Sequence, residues 1–372
     1  MPPDASRPPL AASPAGSPGY VRSKAAQRAV QQSEEALRPL VIRPRYMEEH
    51  VKMDAYDGEA GAAAALRHIA RDEQIKAYVL QNSALYNVLL GAARRFIGGE
   101  TLPECLVVAS TLNSQGFATT IDHMGESTRD AVMARQATDE FLRVIRAIAE
   151  QKLDSSVSLD LSHVGLAVDA GVAFGHASAL AQAARDAGLE LMISMEGSER
   201  TAAILALHRR LCERFDNVGI TLQANLYRTE DDMAAALARP GRIRLVKGAY
   251  EEPADVARTR GLAVDAACRD LMHALLASGH ACSIATHDPA LLGQAHAFIQ
   301  EHGPNGQAVE FEMLYGITPE RLQAMRDRGY RTRIYLPYGR AWYLYLCHRL
   351  AEYPPNIYQA IVDAVAIAGR PL

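Results

Sequence analysis

Residues 157–195 read VSLDLSHVGLAVDAGVAFGHASALAQAARDAGLELMISM, and the rhythm of this stretch decides the fold. Val157–Leu161 is a short apolar run rich in strand formers, and Glu190–Met195 is another. Between them Ala173–Ala187 sets apolar residues three and four apart, the spacing of one helix face. A strand, a helix and a strand in succession make a βαβ unit, whose two strands lie parallel.

The alternation continues in both directions. Further strand runs are Ala118–Ile121, Gly219–Ala224, Ile243–Val246, Cys282–Thr286, Val309–Leu314 and Thr332–Leu336. Amphipathic stretches such as Arg129–Ala149, Glu199–Arg214, Ala263–Leu276, Pro319–Arg328 and Ala341–Glu352 separate or follow them, giving eight strands with a helix after each. Eight such units in about 250 residues is the size of a closed (β/α)8 barrel of the TIM type, an α/β fold. An open doubly wound sheet would usually carry a Gly-rich turn after its first strand, and none is present.

Upstream, Ala25–Leu40, Glu59–Ile69 and Leu85–Ile97 have helical periodicity, while residues 1–22 are Pro, Ala, Ser and Gly with little to bury. The expected organisation is a disordered tail over 1–22, a helical segment over 23–99 and the barrel over 100–372. Apolar residues make up 49% of the chain, ample for a large core. A net charge of −4 without a basic stripe argues against nucleic-acid binding. No apolar run reaches the ~18 residues of a transmembrane helix, and the first ten residues lack a secretory pattern. Cys105, Cys212, Cys268, Cys282 and Cys347 lie far apart, which speaks for reduced thiols and against a disulfide frame or zinc site. A cytoplasmic protein is expected.

Barrel chemistry sits at the carboxyl ends of the strands. The fifth strand ends Arg244-Leu245-Val246-Lys247-Gly248-Ala249-Tyr250, two cations and an aromatic around a glycine that admits close approach to the backbone. The fourth carries Gln223, the sixth ends Thr286-His287-Asp288, and the first ends Asp122-His123-Met124-Gly125-Glu126. The last runs through Tyr335-Leu336-Pro337-Tyr338-Gly339 into a helix on which Tyr345, His348, Arg349 and Glu352 share a face. A helical Glu–Arg pair is ordinarily solvated surface, and one strand-end lysine is ordinarily a loop anchor. The recurrence of polar groups at strand ends four to eight points to a small-molecule pocket.

These motifs resemble those of the proline dehydrogenases. The likeness rests on residues 244–250, on Tyr335–Gly339 followed by Trp342, Tyr345 and Arg349–Glu352, on Gly125-Glu126, on Ile284–His287 and on Glu310-Phe311 with Met313–Gly316, and it runs from roughly Leu85 to the end. It implies FAD over the strand ends, hydride removal beside the nitrogen of proline, and transfer of electrons to a separate acceptor. It places Arg244, Val246, Lys247, Gly248, Ala249, Gln223, Thr286, His287 and Glu312 against the cofactor, with Arg244 and Lys247 as cations that stabilise the reduced ring. Tyr250, Tyr335, Tyr345, Arg349 and Glu352 fall in the substrate pocket, and Glu126 is a gate residue.

The pocket departs from the resemblance. The family holds the proline carboxylate with a strand-two lysine and two consecutive arginines, braced by a strand-three aspartate. The matching positions here are Asp160, His348, Arg349 and Ser194, so only Arg349 remains. A unit-charge pair near 4 Å is worth up to ~4 kcal/mol at an effective dielectric of about 20. Losing two cations and gaining an anion should therefore weaken a free carboxylate on the order of a hundredfold or more. Asn225 and Glu312 stand where the family usually has an aromatic and a glutamine, and the gate partner of Glu126 is His348. The expected substrate is a related cyclic amine or a proline derivative with a masked carboxylate. An ordinary L-proline dehydrogenase and a flavin-binding protein without turnover are the alternatives.

Overall fold

The computed structural model describes residues 58–125, 127–302, 309–353 and 356–368. The tail over 1–22, the helix expected at Ala25–Leu40 and the gate residue Glu126 lie outside the described residues. Helices α1 (Gly58–Arg71), α2 (Glu73–Gln81), α3 (Ser83–Ala93) and α4 (Leu102–Ser114) come first. The chain then alternates through β1 (Ala118–His123), α5 (Ala131–Gln151), β2 (Ser155–Leu159), α6 (Ala170–Asp186), β3 (Leu191–Ile193), α7 (Ser198–Cys212), β4 (Val218–Gln223) and α8 (Thr229–Leu237). It continues through β5 (Ile243–Val246), α9 (Leu262–Ser278), β6 (Cys282–Ala285), α10 (Pro289–His302), β7 (Val309–Leu314), α11 (Pro319–Asp327), β8 (Arg331–Tyr338) and α12 (Trp342–Glu352), and ends in α13 (Asn356–Ala368).

The eight strands close into a barrel in sequence order, and every neighbouring pair is parallel. The expected fold is therefore the observed one. Three helices went unread in the sequence, α2, α4 and α13. Helix α4 starts from a capping box made by Thr101 and Glu104 and buries Leu102, Cys105, Leu106, Ala109 and Leu112 at helical spacing. Its β-branched Val107, Val108 and Thr111 blur that signal. Asp160, read as part of the second strand, lies just past the end of β2, before a π-helical turn at Ser162–Leu166.

Period two along the strands sends alternate residues inward, and several are charged. In the amino-terminal half of the barrel Glu310 accepts from Arg333 Nε at 2.8 Å and from Ser283 Oγ at 2.5 Å. Arg331 and Arg242 approach it at 3.4 and 3.6 Å, and Arg333 also donates to Thr119 O at 2.7 Å and Ser156 Oγ at 3.1 Å. Burial alone would lift the Glu310 carboxyl, but Arg333 and Arg242 overcome that and hold it at about 2. One layer up lies the second inward pair, Arg244 and Glu312.

The apolar core is divided. The larger part fills the barrel wall and the helices α4 to α11 around it. A second cluster joins Trp342, Tyr343, Leu346, Cys347 and Leu350 of α12 to Ala70, Val79, Leu90, Ala93, Phe96 and Ile97. Helix α4 packs on β8 and β1, the outer slot that the eighth helix of such a barrel would fill. Helix α12 packs instead on α1 and α3 and brings Tyr345 and Arg349 into the field of Asp122, Tyr335 and Tyr250 at the strand ends.

Candidate active site

The cation expected beside a cofactor on strand five is tied down. Arg244 Nε and Nη2 donate to Glu312 at 2.7 and 3.0 Å, and Nη1 reaches Ser158 Oγ at 3.2 Å. Thr120 Oγ1 donates to the same carboxylate at 3.0 Å. Ser158 in turn lies 3.1 Å from the hydroxyl of Ser194, which links that site position to the Arg244 network. The Arg244 guanidinium sits 5.4 Å from the centre of the Tyr335 ring.

Lys247 is likewise paired, donating to Asp265 at 2.5 Å and Asp288 at 2.6 Å. Burial alone would lower its pKa, but the two carboxylates reverse the direction and raise it. Gln223 donates to the carbonyl of Glu196 at 3.0 Å and is buried. Thr286 Oγ1 accepts from the Asp288 amide at 3.1 Å, and His287 Nε2 accepts from the Leu314 amide at 3.3 Å. Burial, then Arg349 and Arg321, push His287 down to about 4, so it is neutral. Gly248 holds φ +110, and a Cβ there would overlap the side-chain amide of Asn225. Val246 and Ala249 flank this bare backbone, with Ala249 exposed. A Gly248→Ala variant should lose about 1–3 kcal/mol of stability. Thermal unfolding with and without added FAD measures it, and an unchanged melting temperature would contradict the strain.

On the other side Arg349 is buried and donates to Glu352 at 2.7 Å, with its guanidinium 5.0 Å from the Tyr345 ring centre. Tyr335 donates to Asp122. Burial raises the Asp122 carboxyl to about 6 against the opposing pull of Tyr335 and Arg244. Burial, then the charges of Asp122 and Asp160, raise Tyr335. Tyr250 lies within the electrostatic reach of Arg349, and burial puts Tyr345 at about 12. His348 answers to two sets of charges, Arg349 within this group and two arginines of α1. Burial, Arg349, Arg71 and Arg67 push it down to about 4, so the residue paired with Glu126 in the expected gate is uncharged at neutral pH.

The structure thus gathers Arg244, Glu312, Tyr335, Tyr345, Tyr250, Arg349, Glu352, Ser194 and Asp160 around one end of the barrel, with His348 in the field of both Arg349 and the α1 arginines. Asp122 was not among the expected site residues. Its signal was its place two residues after the inward Thr120 on one strand. Among the described residues, Asn225 Oδ1, His287 Nδ1, Tyr345 OH and Arg349 Nε are buried polar atoms of this region without a hydrogen-bond partner. A polar ligand would satisfy such groups. Together with the side-chain-free backbone at Gly248 they fit an amphipathic group with many acceptors and donors, as FAD is.

A family model described as proline dehydrogenase matches residues 105–356. Proline dehydrogenase 1 of Bacillus subtilis subsp. natto is 36% identical over 271 residues, 73% of this chain and 89% of that protein. Proline dehydrogenase of Deinococcus radiodurans is 34% identical over 269 residues, 71% of this chain and 87% of its own. Among solved structures, proline utilization A from Bdellovibrio bacteriovorus, inactivated by N-propargylglycine, superposes with a TM-score of 0.67 at 18% identity. The match covers 93% of this chain but only 44% of that one, and at such identity it bears on the fold.

Proposed function

Since the chain belongs to the proline dehydrogenase family and is an FAD-dependent oxidoreductase by that membership, we propose that it binds FAD over the strand ends and oxidises a small amine beside its nitrogen. The substrate is a cyclic amine or a proline derivative whose carboxylate is masked. The observation that carries this is the charge of the pocket: Arg349 is committed to Glu352, while Asp160 and Ser194 stand where the family carries a lysine and an aspartate.

FAD, when bound, supplies the acceptor for the hydride. Gln223, Val246, Lys247, Gly248, Ala249, Thr286 and His287 hold it, and Arg244 with Glu312 faces it. Tyr250, Tyr335 and Tyr345 wall the ring or alkyl part, and Asp160 steers the nitrogen. Asp122, ionised above about 6, draws the ammonium proton through the Tyr335 hydroxyl, because only the neutral amine can lose hydride readily. The electron acceptor is a separate quinone, flavoprotein or oxygen. Among the described residues no helix is long and apolar enough to cross a membrane. A cytoplasmic location, at a membrane surface if the acceptor is a quinone, is consistent with this.

The test is FAD titration followed by anaerobic bleaching across cyclic amines, L-proline and proline esters and amides. Masked derivatives should bleach the flavin about tenfold faster or more than L-proline, with a rate that climbs as pH rises through about 6. The second reading, an ordinary L-proline dehydrogenase, is favoured by the identity to curated proline dehydrogenases. Rapid bleaching by submillimolar L-proline would establish it instead. Bound flavin that no amine reduces would leave a binding protein, and a chain that takes up no FAD would overturn the proposal.

A further inference from the structure

The three cations named for the strand-end site are each matched or outnumbered. Arg244 is held by Glu312, Arg349 by Glu352, and Lys247 by both Asp265 and Asp288. The Arg244–Glu312 pair is the one most removed from water, with side chains 6% and 2% exposed. Glu312 accepts both guanidinium hydrogen bonds and one from Thr120, which fits an ionised carboxylate. At low dielectric a neighbour that cancels a charge removes most of its field.

Building on the proposed FAD binding, we propose that Glu312 cancels the Arg244 charge at the cofactor face, so that the reduced isoalloxazine is held neutral. The balance is complete within the proposed reaction. The amine gives up a hydride from carbon and a proton from nitrogen and becomes an imine, and the ring takes up two electrons and two protons. A site with an uncompensated cation would instead keep the ring anionic, with one proton taken up and the other released. Glu312 is therefore a positioning residue, acting on the cofactor through Arg244.

Sulfite is the probe, because its sulfur adds to the flavin ring and leaves negative charge on it. Glu312→Gln frees the Arg244 charge and should tighten sulfite binding about tenfold or more. Glu312→Asp shortens the side chain but keeps the charge, and its sulfite affinity should stay near that of the wild type. A purely structural role would disturb both variants alike, and equal shifts in the two would overturn the proposal. So would an unchanged affinity in Glu312→Gln with flavin bound. Should Glu312→Gln fail to retain flavin, the wild-type reduction potential decides. It should fall with pH at the slope of two protons per two electrons, and half that slope would overturn the proposal. A wild-type chain that binds no FAD would overturn the cofactor reading as well, a distinct result.

Discussion

Replacing Glu310 by glutamine is expected to cost about 3–5 kcal/mol of stability, read from urea denaturation. The change keeps the volume, so packing is not the reason. Glu310 is fully buried and is the acceptor around which Arg333, Arg331 and Arg242 converge. Without its charge, Arg333 is left buried with only Thr119 O, Ser156 Oγ and a neutral amide as acceptors. The paired replacement Glu310→Leu with Arg333→Met should recover much of the loss, since two well-packed apolar groups leave nothing uncompensated. The pH behaviour has a definite sign. The carboxyl is depressed to about 2, so its contribution is complete above the ordinary glutamate range and is lost as pH falls toward about 2. A loss below about 1 kcal/mol in the single variant would mean that the hydroxyl and carbonyl partners suffice.

Restoring the family charges together, as Asp160→Lys, Ser194→Asp and His348→Arg, should raise kcat/KM for L-proline on the order of a hundredfold. His348→Arg alone should do much less. The new guanidinium would enter the field of Arg67, Arg71 and Arg349, since Arg71 and Arg67 already depress His348. Asp160 lies instead in the field of Tyr335. Ser194→Asp would supply a brace close to Ser158 and Arg244. Groups in one charged network are expected to depart from additivity by ~0.5–3 kcal/mol. Steady-state and flavin-reduction kinetics of the singles and the triple, with flavin content as the folding check, measure this. A folded triple variant no better with L-proline would move substrate choice to other positions, Asn225 and Glu312 first.

The barrel was legible because each strand is a short run rich in strand formers and each helix after it keeps a three-and-four spacing. Val309–Leu314 and Ile243–Val246 were bounded in the sequence as the structure has them. The motif residues of the site were legible by type and register. What sequence could not carry was pairing between distant elements. Nothing near Lys247 announces that Asp265 and Asp288 close on it, and nothing near Arg244 announces Glu312, 68 residues on. His348 shares a helix face with Arg349, but the two α1 arginines that also act on it are linked to it by no local pattern.

The position of α4 on the β8–β1 seam has a historical consequence. With that seam closed from upstream, helix α12 is released from the duty of completing the ring. Its polar positions, as distinct from the buried Trp342, Tyr343 and Leu346, can then change without opening the barrel, so new substrate preferences can accumulate on α12 at little cost to folding.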